Sequence, residues 1–417
     1  MSRWPVVQLR RVCRIVNGGT PTSNPENWDG GIPWATPVDL AKVDGGNVGA
    51  TERTITPGGL SSGSALVDGG ALILSTRAPI GYVAAAGVPT AFNQGCKGLE
   101  PSSLIDSKYL RFQLQSLTAQ LQAQGQGSTF QELSGSALGS VPITLPPRAE
   151  QRRIANYLDA ETARIDEVIA KKERLISLLQ EQLMATVFRL VTAGLDEKAA
   201  RRASGLEWCE FIPAHWGTPT VSTNFELTLG KMLNPEAADG DEQFPYLRNL
   251  NVQWDRLELD DLASMSFDAS SRLRLKLLPG DLLVCEGGEV GRAAVWGGEI
   301  KDCYFQKAIH RVRSRSTSST RFLMYSLMAA ANIGVFAAQG NQSTIAHLTG
   351  EQLSVLRLPW PPDEDQQRIA AVLDKVSETR RRTISLTRTQ IALLREHRQA
   401  LITAAVTGQL DIPGAAA

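Results

Sequence analysis

Covalent or metal chemistry in this chain would have to come from four histidines, five cysteines and a few strand-borne carboxylates. His215, His310, His347 and His397 are scattered; none stands at metal-ligand spacing or beside a serine or cysteine it could activate. Cys13, Cys96, Cys209, Cys285 and Cys303 are odd in number and contain no C-x-x-C pair. That argues against a disulfide framework and against a zinc site, and fits a reducing cytoplasm. Asp281 and Glu286 fall in a strand pattern that would suit a nuclease, but no lysine follows at nuclease spacing. Gly287-Gly288-Glu289-Val290-Gly291 lacks the strand-turn-helix setting and the downstream acid of a nucleotide fingerprint, so it reads as a structural turn. No G-x-x-x-x-G-K-[ST] loop occurs. The Asn- or Asp-Pro-Pro-aromatic signature of amino-methyltransferases is absent too, because Pro146-Pro147 and Pro361-Pro362 precede helical patterns. With no catalytic constellation and no metal site, the remaining chemistry is recognition.

The elements that would position recognising groups are duplicated. Sliding the sequence along itself by about 215 residues places Gln151, Arg153, Ile154, Leu158 and Asp159 on Gln366, Arg368, Ile369, Leu373 and Asp374. The match runs on through Ile169 and Ile384, Ile176 and Ile391, and Val191 and Val406. A period as long as a whole domain is a duplication and not a solenoid. Segments 1-147 and 208-362 read as mixed α/β modules, with short apolar runs broken by Gly-Gly turns and a helix over roughly Ser107 to Gln122. Segments 148-195 and 363-410 read as long amphipathic helices. Leu158, Ile165, Ile169, Ile176, Leu179, Leu183, Val187 and Leu190 form a one-sided stripe in the first. About 40 residues at about 1.5 Å each make a rod of roughly 60 Å. So much one-sided apolar surface calls for a mate, and the nearest mate is the other rod, paired antiparallel. Residues 196-207 read as a linker and 411-417 as a frayed tail. The fold class expected is α+β: two mixed modules joined by two long antiparallel helices in a coiled-coil-like, pseudo-two-fold arrangement.

Net charge is zero, with 43 basic and 43 acidic residues, which counts mildly against nucleic-acid binding. Between Arg272 and Arg321, however, ten Lys or Arg face five Asp or Glu, and Arg311, Arg313 and Arg315 alternate as on a strand. A basic face on a neutral chain is the expectation. Neither a signal peptide nor a membrane span is legible.

A family resemblance attaches to particular runs. Asn17-Gly-Gly-Thr-Pro-Thr-Ser-Asn-Pro-Glu-Asn-Trp28, Ile32-Pro-Trp-Ala-Thr-Pro-Val-Asp39, Leu74-Ser-Thr-Arg-Ala-Pro-Ile-Gly-Tyr82 and Phe92-Asn-Gln-Gly-Cys-Lys-Gly98 resemble the target-recognition domains of Type I restriction-modification specificity subunits. Gly127-Ser-Thr-Phe130, Leu145-Pro-Pro147 and Glu150-Gln-Arg-Arg-Ile154 resemble that family's junction into its spacer helix. The second module departs from the pattern and keeps only Tyr304-Phe-Gln-Lys307. The resemblance implies a non-catalytic subunit reading double-stranded DNA, with each module taking one half of a split asymmetric target. The helices would set the gap and dock two methyltransferase (modification) subunits. Adenine methylation would use S-adenosylmethionine held by those partners, and restriction subunits requiring ATP and Mg can join. A cytoplasmic protein without membrane contact is implied. The alternative is a non-catalytic coiled-coil adaptor that binds protein partners.

On that resemblance, the residues expected to touch DNA in the first module are Arg77, Asn93, Gln94 and Lys97. Arginine pairs bidentately with guanine, Asn and Gln pair with adenine, and lysine suits phosphate or guanine. Thr20, Thr22 and Ser23 would contact the backbone, as would Ser128 and Thr129 with their counterparts Ser343 and Thr344. In the second module the candidates are Arg248, Arg292, Gln306 and Lys307. Gln151, Arg153, Asp159, Gln366, Arg368 and Asp374 are the expected partner-docking positions. Gly81 and Gly291 read as turn glycines, and Trp34 and Trp216 as core anchors.

Overall fold

The computed structural model describes residues 4–77, 79–125, 131–233, 237–238, 240, 242–338 and 347–412, so Ser128, Thr129, Ser343 and Thr344 lie outside the described residues. The chain forms two compact units, Met1–Glu173 with Arg388–Ala417, and Arg174–Thr387. The division cuts through both long helices and not at their ends. The segments 148-195 and 363-410 are therefore shared between units and are not bodies of their own.

In the first unit, one sheet runs in the order Cys13–Asn17, Cys96–Pro101, Leu72–Ser75, Val83–Ala86, Asn47–Val48. A second sheet runs Arg53–Ile55, Trp28–Ala35, Thr90–Phe92, Ala65–Val67. Every residue of Leu72–Ser75 is buried, which requires cover on both faces. Leu72 and Leu74 pack with Leu9, Leu99, Tyr109 and Leu110, while Ile73 points the other way onto Ala35, Phe92 and Cys96. That is the alternation a strand imposes. The helix expected over 107–122 is broken at Leu117 into α1 (Ser107–Ser116) and a short segment Thr118–Ala123. At the break the Gln115 carbonyl accepts from Thr118 Oγ1 at 3.0 Å and from the Gln399 amide at 3.0 Å, a side-chain alternative to the helical ladder. Asp106 caps α1 by accepting from Lys108 N at 3.1 Å.

The second unit repeats the plan. One sheet runs Phe225–Leu229, Ile309–Ser314, Leu282–Cys285, Ala293–Val295, and another runs Ala263–Ser266, Gln243–Leu247, Tyr304–Phe305. Even the register is kept. Trp34–Ala91 and Ala35–Phe92 pair in parallel in the first unit, as Tyr246–Tyr304 and Leu247–Phe305 do in the second.

The long helices are α2 (Arg148–Ala193, 46 residues) and, following the head helix α3 (Thr320–Asn332), α4 (Asp363–Thr407, 45 residues). At about 1.5 Å per residue each is about 70 Å long. They pair antiparallel within each unit. In the first, Asp166 meets Arg398 at 3.0 Å and Lys172 donates to Gln390 at 2.7 Å. In the second, Arg380 donates to Gln182 at 2.9 Å, and Val187, Leu190 and Val191 share a core with Ile369 and Leu373. Each module thus packs against the start of the helix that follows it and the end of the other. Ile154 and Leu158 join Ile402 and Val406 beneath Tyr109 in the first unit. A fully buried Leu or Ile at such a seam contributes about 1.5–3 kcal/mol.

Both helices stop at a left-handed glycine, Gly194 at φ +72° and Gly408 at φ +78°. A side chain there would strike an indole: Trp216 lies 2.9 Å from a Cβ built on Gly194, and Trp4 lies 2.9 Å from one on Gly408. The C-caps serve as seats for tryptophans as well as turns. Two expectations change. The second half of the linker 196-207 is ordered as the strand Arg201–Leu206, hydrogen-bonded to Cys209–Pro213. Of the tail 411-417, Ile412 is buried in the first core, and 413–417 lie outside the described residues. Among the described residues, no helix is long and apolar enough to cross a membrane.

Candidate nucleic-acid interface

The first module gathers several of the expected residues around one pair of loops. At the end of Cys13–Asn17, Gly18 N donates to Cys96 O at 3.3 Å and Gly19 N to Phe92 O at 3.0 Å, which lays residues 18–23 on the turn 93–96. The approach is so close that a Cβ on Gly18 would stand 1.9 Å from the Asn93 carbonyl oxygen. Only glycine fits there. The loop is propped from below by Trp34 Nε1, which donates to Gly19 O at 3.1 Å, and by Trp28 Nε1, which donates to Thr22 O at 3.1 Å. Trp34 is a buried anchor, and its polar edge holds a surface loop in place.

On this frame Thr20 hydrogen-bonds Gln94, and both are exposed. The Asn93 side-chain carbonyl accepts from Gly95 N at 3.0 Å. Arg77, half-buried, pairs with Glu132 at 3.0 Å. Thr22 accepts from Asn27 at 2.7 Å, and Ser23 is exposed. Lys97 is 8% exposed, held in the strand between Asn17 and Leu74. Arg53, which the sequence did not single out, sits over Trp28 with its guanidinium carbon 3.5 Å from the ring centroid. It is a planar cation beside the Thr22 loop, and its partner tryptophan was the available signal.

The second module rebuilds the frame with different side chains. Gly230 N donates to Ile309 O at 3.2 Å and Lys231 N to Phe305 O at 3.1 Å; Gln306 N donates to Leu247 O at 3.0 Å, as Asn93 N does to Ala35 O at 2.9 Å. A Cβ on Gly230 would lie 2.3 Å from the Gln306 carbonyl oxygen. Gln306 therefore stands where Asn93 stands, Lys307 where Gln94 stands, and Lys231 where Gly19 stands. Lys231 was missed because Leu229-Gly-Lys231 carries none of the first module's Gly-Gly-Thr-Pro run. It lies 5.3 Å above the Phe267 ring and 3.4 Å from Asp268. The hydroxyls of Ser270 and Ser271 hold the Asp268 carboxyl well below the usual carboxylate range.

Two of the candidates fall elsewhere. Arg292 occupies the place of Tyr82, since Cys285 N donates to Arg292 O as Ser75 N does to Tyr82 O. Its guanidinium is spent on Asn249, at 2.9 Å to the carbonyl and 3.0 Å to the side chain. The position of Arg77 is held by Gly287. Arg248 is bonded to Asp261 at 2.9 Å. Gly81 and Gly291 are turn glycines with φ of +111° and +81°.

The expected basic face over 272–321 is largely neutralised. Arg311 is 2% exposed and bonds Thr228 at 3.0 Å and Glu226 at 3.2 Å. Burial, and then Arg313, push its guanidinium pKa below the ordinary value. Arg313 clasps the buried Asp281 bidentately, at 2.6 and 2.7 Å. Alternation on a strand put these arginines on a face that the module covers.

The helix-start positions also turn inward. Gln151 and Gln366, expected at a docking surface, are 1% and 0% exposed and stitch backbone groups together. Asp159 pairs with Arg111 at 2.7 Å and Lys108 at 2.8 Å, and Asp374 pairs with Arg321 at 2.7 Å. Arg153 is bonded to Glu150 at 2.5 Å. Arg368 remains exposed, 3.6 Å from Asp365. Their repetition reflects how each rod is fastened to a module.

A family model described as "Type I restriction modification DNA specificity domain" matches residues 1–177 and 226–393, well over half of the chain. The chain is 35% identical over 182 residues to the Type I restriction enzyme MjaIX specificity subunit of Methanocaldococcus jannaschii, covering 43% of this chain and 41% of that protein. It is 27% identical over 198 residues to the Type I restriction enzyme EcoKI specificity subunit of Escherichia coli, covering 46% and 40%. The alignments thus span about two fifths of these relatives. In fold it is similar to a chain solved for "Structural basis underlying complex assembly and conformational transition of the type I R-M system", with TM-score 0.75, 17% identity and 98% of both chains covered. It is also similar to the HsdS subunit from Thermoanaerobacter tengcongensis, with TM-score 0.52, 19% identity, and 98% and 97% covered.

Proposed function

The chain belongs to the family of Type I restriction modification DNA specificity domains, and on that premise we propose that it is the DNA-reading, non-catalytic subunit of a restriction-modification complex. The observation that carries the reading is the shared loop frame with unlike side chains. Thr20, Asn93 and Gln94 stand in one module where Met232, Gln306 and Lys307 stand in the other. One backbone geometry carrying two sets of base-reading groups suits a target whose halves differ. Double-stranded DNA is the substrate. The antiparallel rods set the gap between the half-sites, and their exposed faces dock two methyltransferase subunits. Adenine methylation, with S-adenosylmethionine, belongs to those partners, as do ATP and Mg when restriction subunits join. Near-neutral charge is consistent with partners supplying much of the phosphate attraction. The protein acts in the cytoplasm.

The test is co-expression with a partner adenine methyltransferase, followed by mapping of methylated sites. A split asymmetric motif is expected, and replacing residues 1–147 by another module of the family should change only one half. Both halves surviving the exchange, or no motif at all, would leave the coiled-coil adaptor as the better reading.

A further inference from the structure

The second module is joined to its rod by a charge cluster built around one buried carboxylate. Asp255 sits in the two-residue turn between Val252–Gln253 and Arg256–Leu257, at φ +56°. Its side chain is 5% exposed. One carboxylate oxygen takes Arg321 of the head helix α3, and the other takes Arg381 of the rod α4. Arg321 also reaches Asp374 of α4 at 2.7 Å, and Tyr325 donates to the same Asp374 oxygen at 2.8 Å. Two acids and two arginines thus close a circuit through a head loop, a head helix and the rod.

Beside this circuit the apolar packing is open. A cavity of about 470 Å³ is lined by Leu183, Met184, Trp254, Val290, Phe336 and Arg381. Close packing would otherwise fix the angle between head and rod, so at this point the charges take over that task. In the first module the matching position is Gly45, whose N–H donates to Val83 O at 2.8 Å as that of Asp255 donates to Ala293 O at 3.0 Å, and whose φ is +77°. Arg381 is replaced at the repeat position by Asp166. Asp44, one residue before Gly45, lies within the electrostatic reach of Arg398 and Arg111, whose ion pairs go to Asp166 and Asp159.

Resting on the reading above, we propose that Asp255 is a positioning residue that fixes the angle of the second module on α4 and thereby sharpens the gap length accepted between half-sites. Asn tolerates the left-handed conformation as Asp does, so Asp255→Asn removes the charge without straining the turn. The full chain with its methyltransferase partner is assayed on duplexes carrying the native gap, one base pair fewer and one more. Wild type should prefer the native gap. Asp255→Asn should erode that preference by about tenfold, through misplacement and not lost contacts, with each half-site's base requirement unchanged. Arg381→Gln should do the same, and it serves should Asp255→Asn fail to fold; Arg381→Lys should restore the preference. An equal loss on all three duplexes, or an unchanged preference, overturns the proposal.

A second measurement needs no DNA. Spin labels on cysteines placed at the exposed Leu273 and Leu386 should give a broader distance distribution in Asp255→Asn than in wild type, and equal widths overturn the proposal. Wild type without any gap preference overturns the parent reading, while the label widths still decide whether Asp255 fixes the angle.

Discussion

The Gln366 side-chain carbonyl accepts the backbone N–H of Ser319 at 2.8 Å, while its amide donates to Pro361 O at 2.8 Å. Gln151 does the same 215 positions earlier in the repeat, accepting from Asp106 N at 2.7 Å and donating to Pro146 O at 2.8 Å. Each glutamine ties the N-cap of a head helix to the proline turn that launches a rod. Gln366→Ala should lower unfolding stability by about 2–4 kcal/mol, because buried backbone groups lose their partners. Arg368→Ala, on an exposed side chain, should change it by about 0.5 kcal/mol or less. Urea melts of the two variants check the contrast.

Asp281 is 1% exposed, holds Arg313 with both oxygens and also accepts from Leu278 N at 2.7 Å. Asp281→Ala should destabilise the second unit by about 3–5 kcal/mol, the cost of leaving a guanidinium and an amide unpaired. A DNA-binding defect without a stability loss would show that Arg313 faces solvent after all.

Gly18→Ala places a methyl group where the Asn93 carbonyl already is. The loop must move while the sheet beneath stays, so recognition of one half-site should fall by more than tenfold, or about 1.4 kcal/mol, with the melting transition shifted little. Competition binding against duplexes altered in either half separates the two effects.

Lys307 is exposed at the position equivalent to Gln94. If it meets phosphate, Lys307→Met should weaken all sequences alike and reduce the salt dependence of binding by about one unit of slope. If it reads guanine, the loss should be about 1–3 kcal/mol at one base pair only. Titrations at several salt concentrations distinguish the cases, and no effect of either kind would remove Lys307 from the interface.

All five cysteines are buried. Burial pushes the thiols of Cys13 and Cys303 up to about 12 and that of Cys285 to about 11, from an ordinary 9.0. The folded state therefore binds more protons than the unfolded one above about pH 9, so stability should fall as pH rises through that range. The slope should be about 1.4 kcal/mol per pH unit for each thiol. Below that pH the thiols should react with a thiol reagent only after denaturation, five per chain. Rapid labelling of the native protein at neutral pH would contradict the burial.

The duplication, the two long helices and their antiparallel pairing were legible in the sequence, because a helix writes its buried face as a 3.5- to 3.6-residue period that needs no knowledge of the partner. Trp34 and Trp216 as anchors, and Gly81 and Gly291 as turns, were legible for the same local reasons. Which polar residues face outward was not. Gln151 and Gln366 look like surface residues, and only the fold shows them bonded to backbone groups; Arg311 and Arg313 look like a basic stripe until Glu226 and Asp281 arrive from segments elsewhere in the sequence. The equivalence of Gln306 with Asn93 was equally hidden. It is carried by backbone hydrogen bonds and by the close approach of Gly230, and backbone geometry survives side-chain changes that erase the motif.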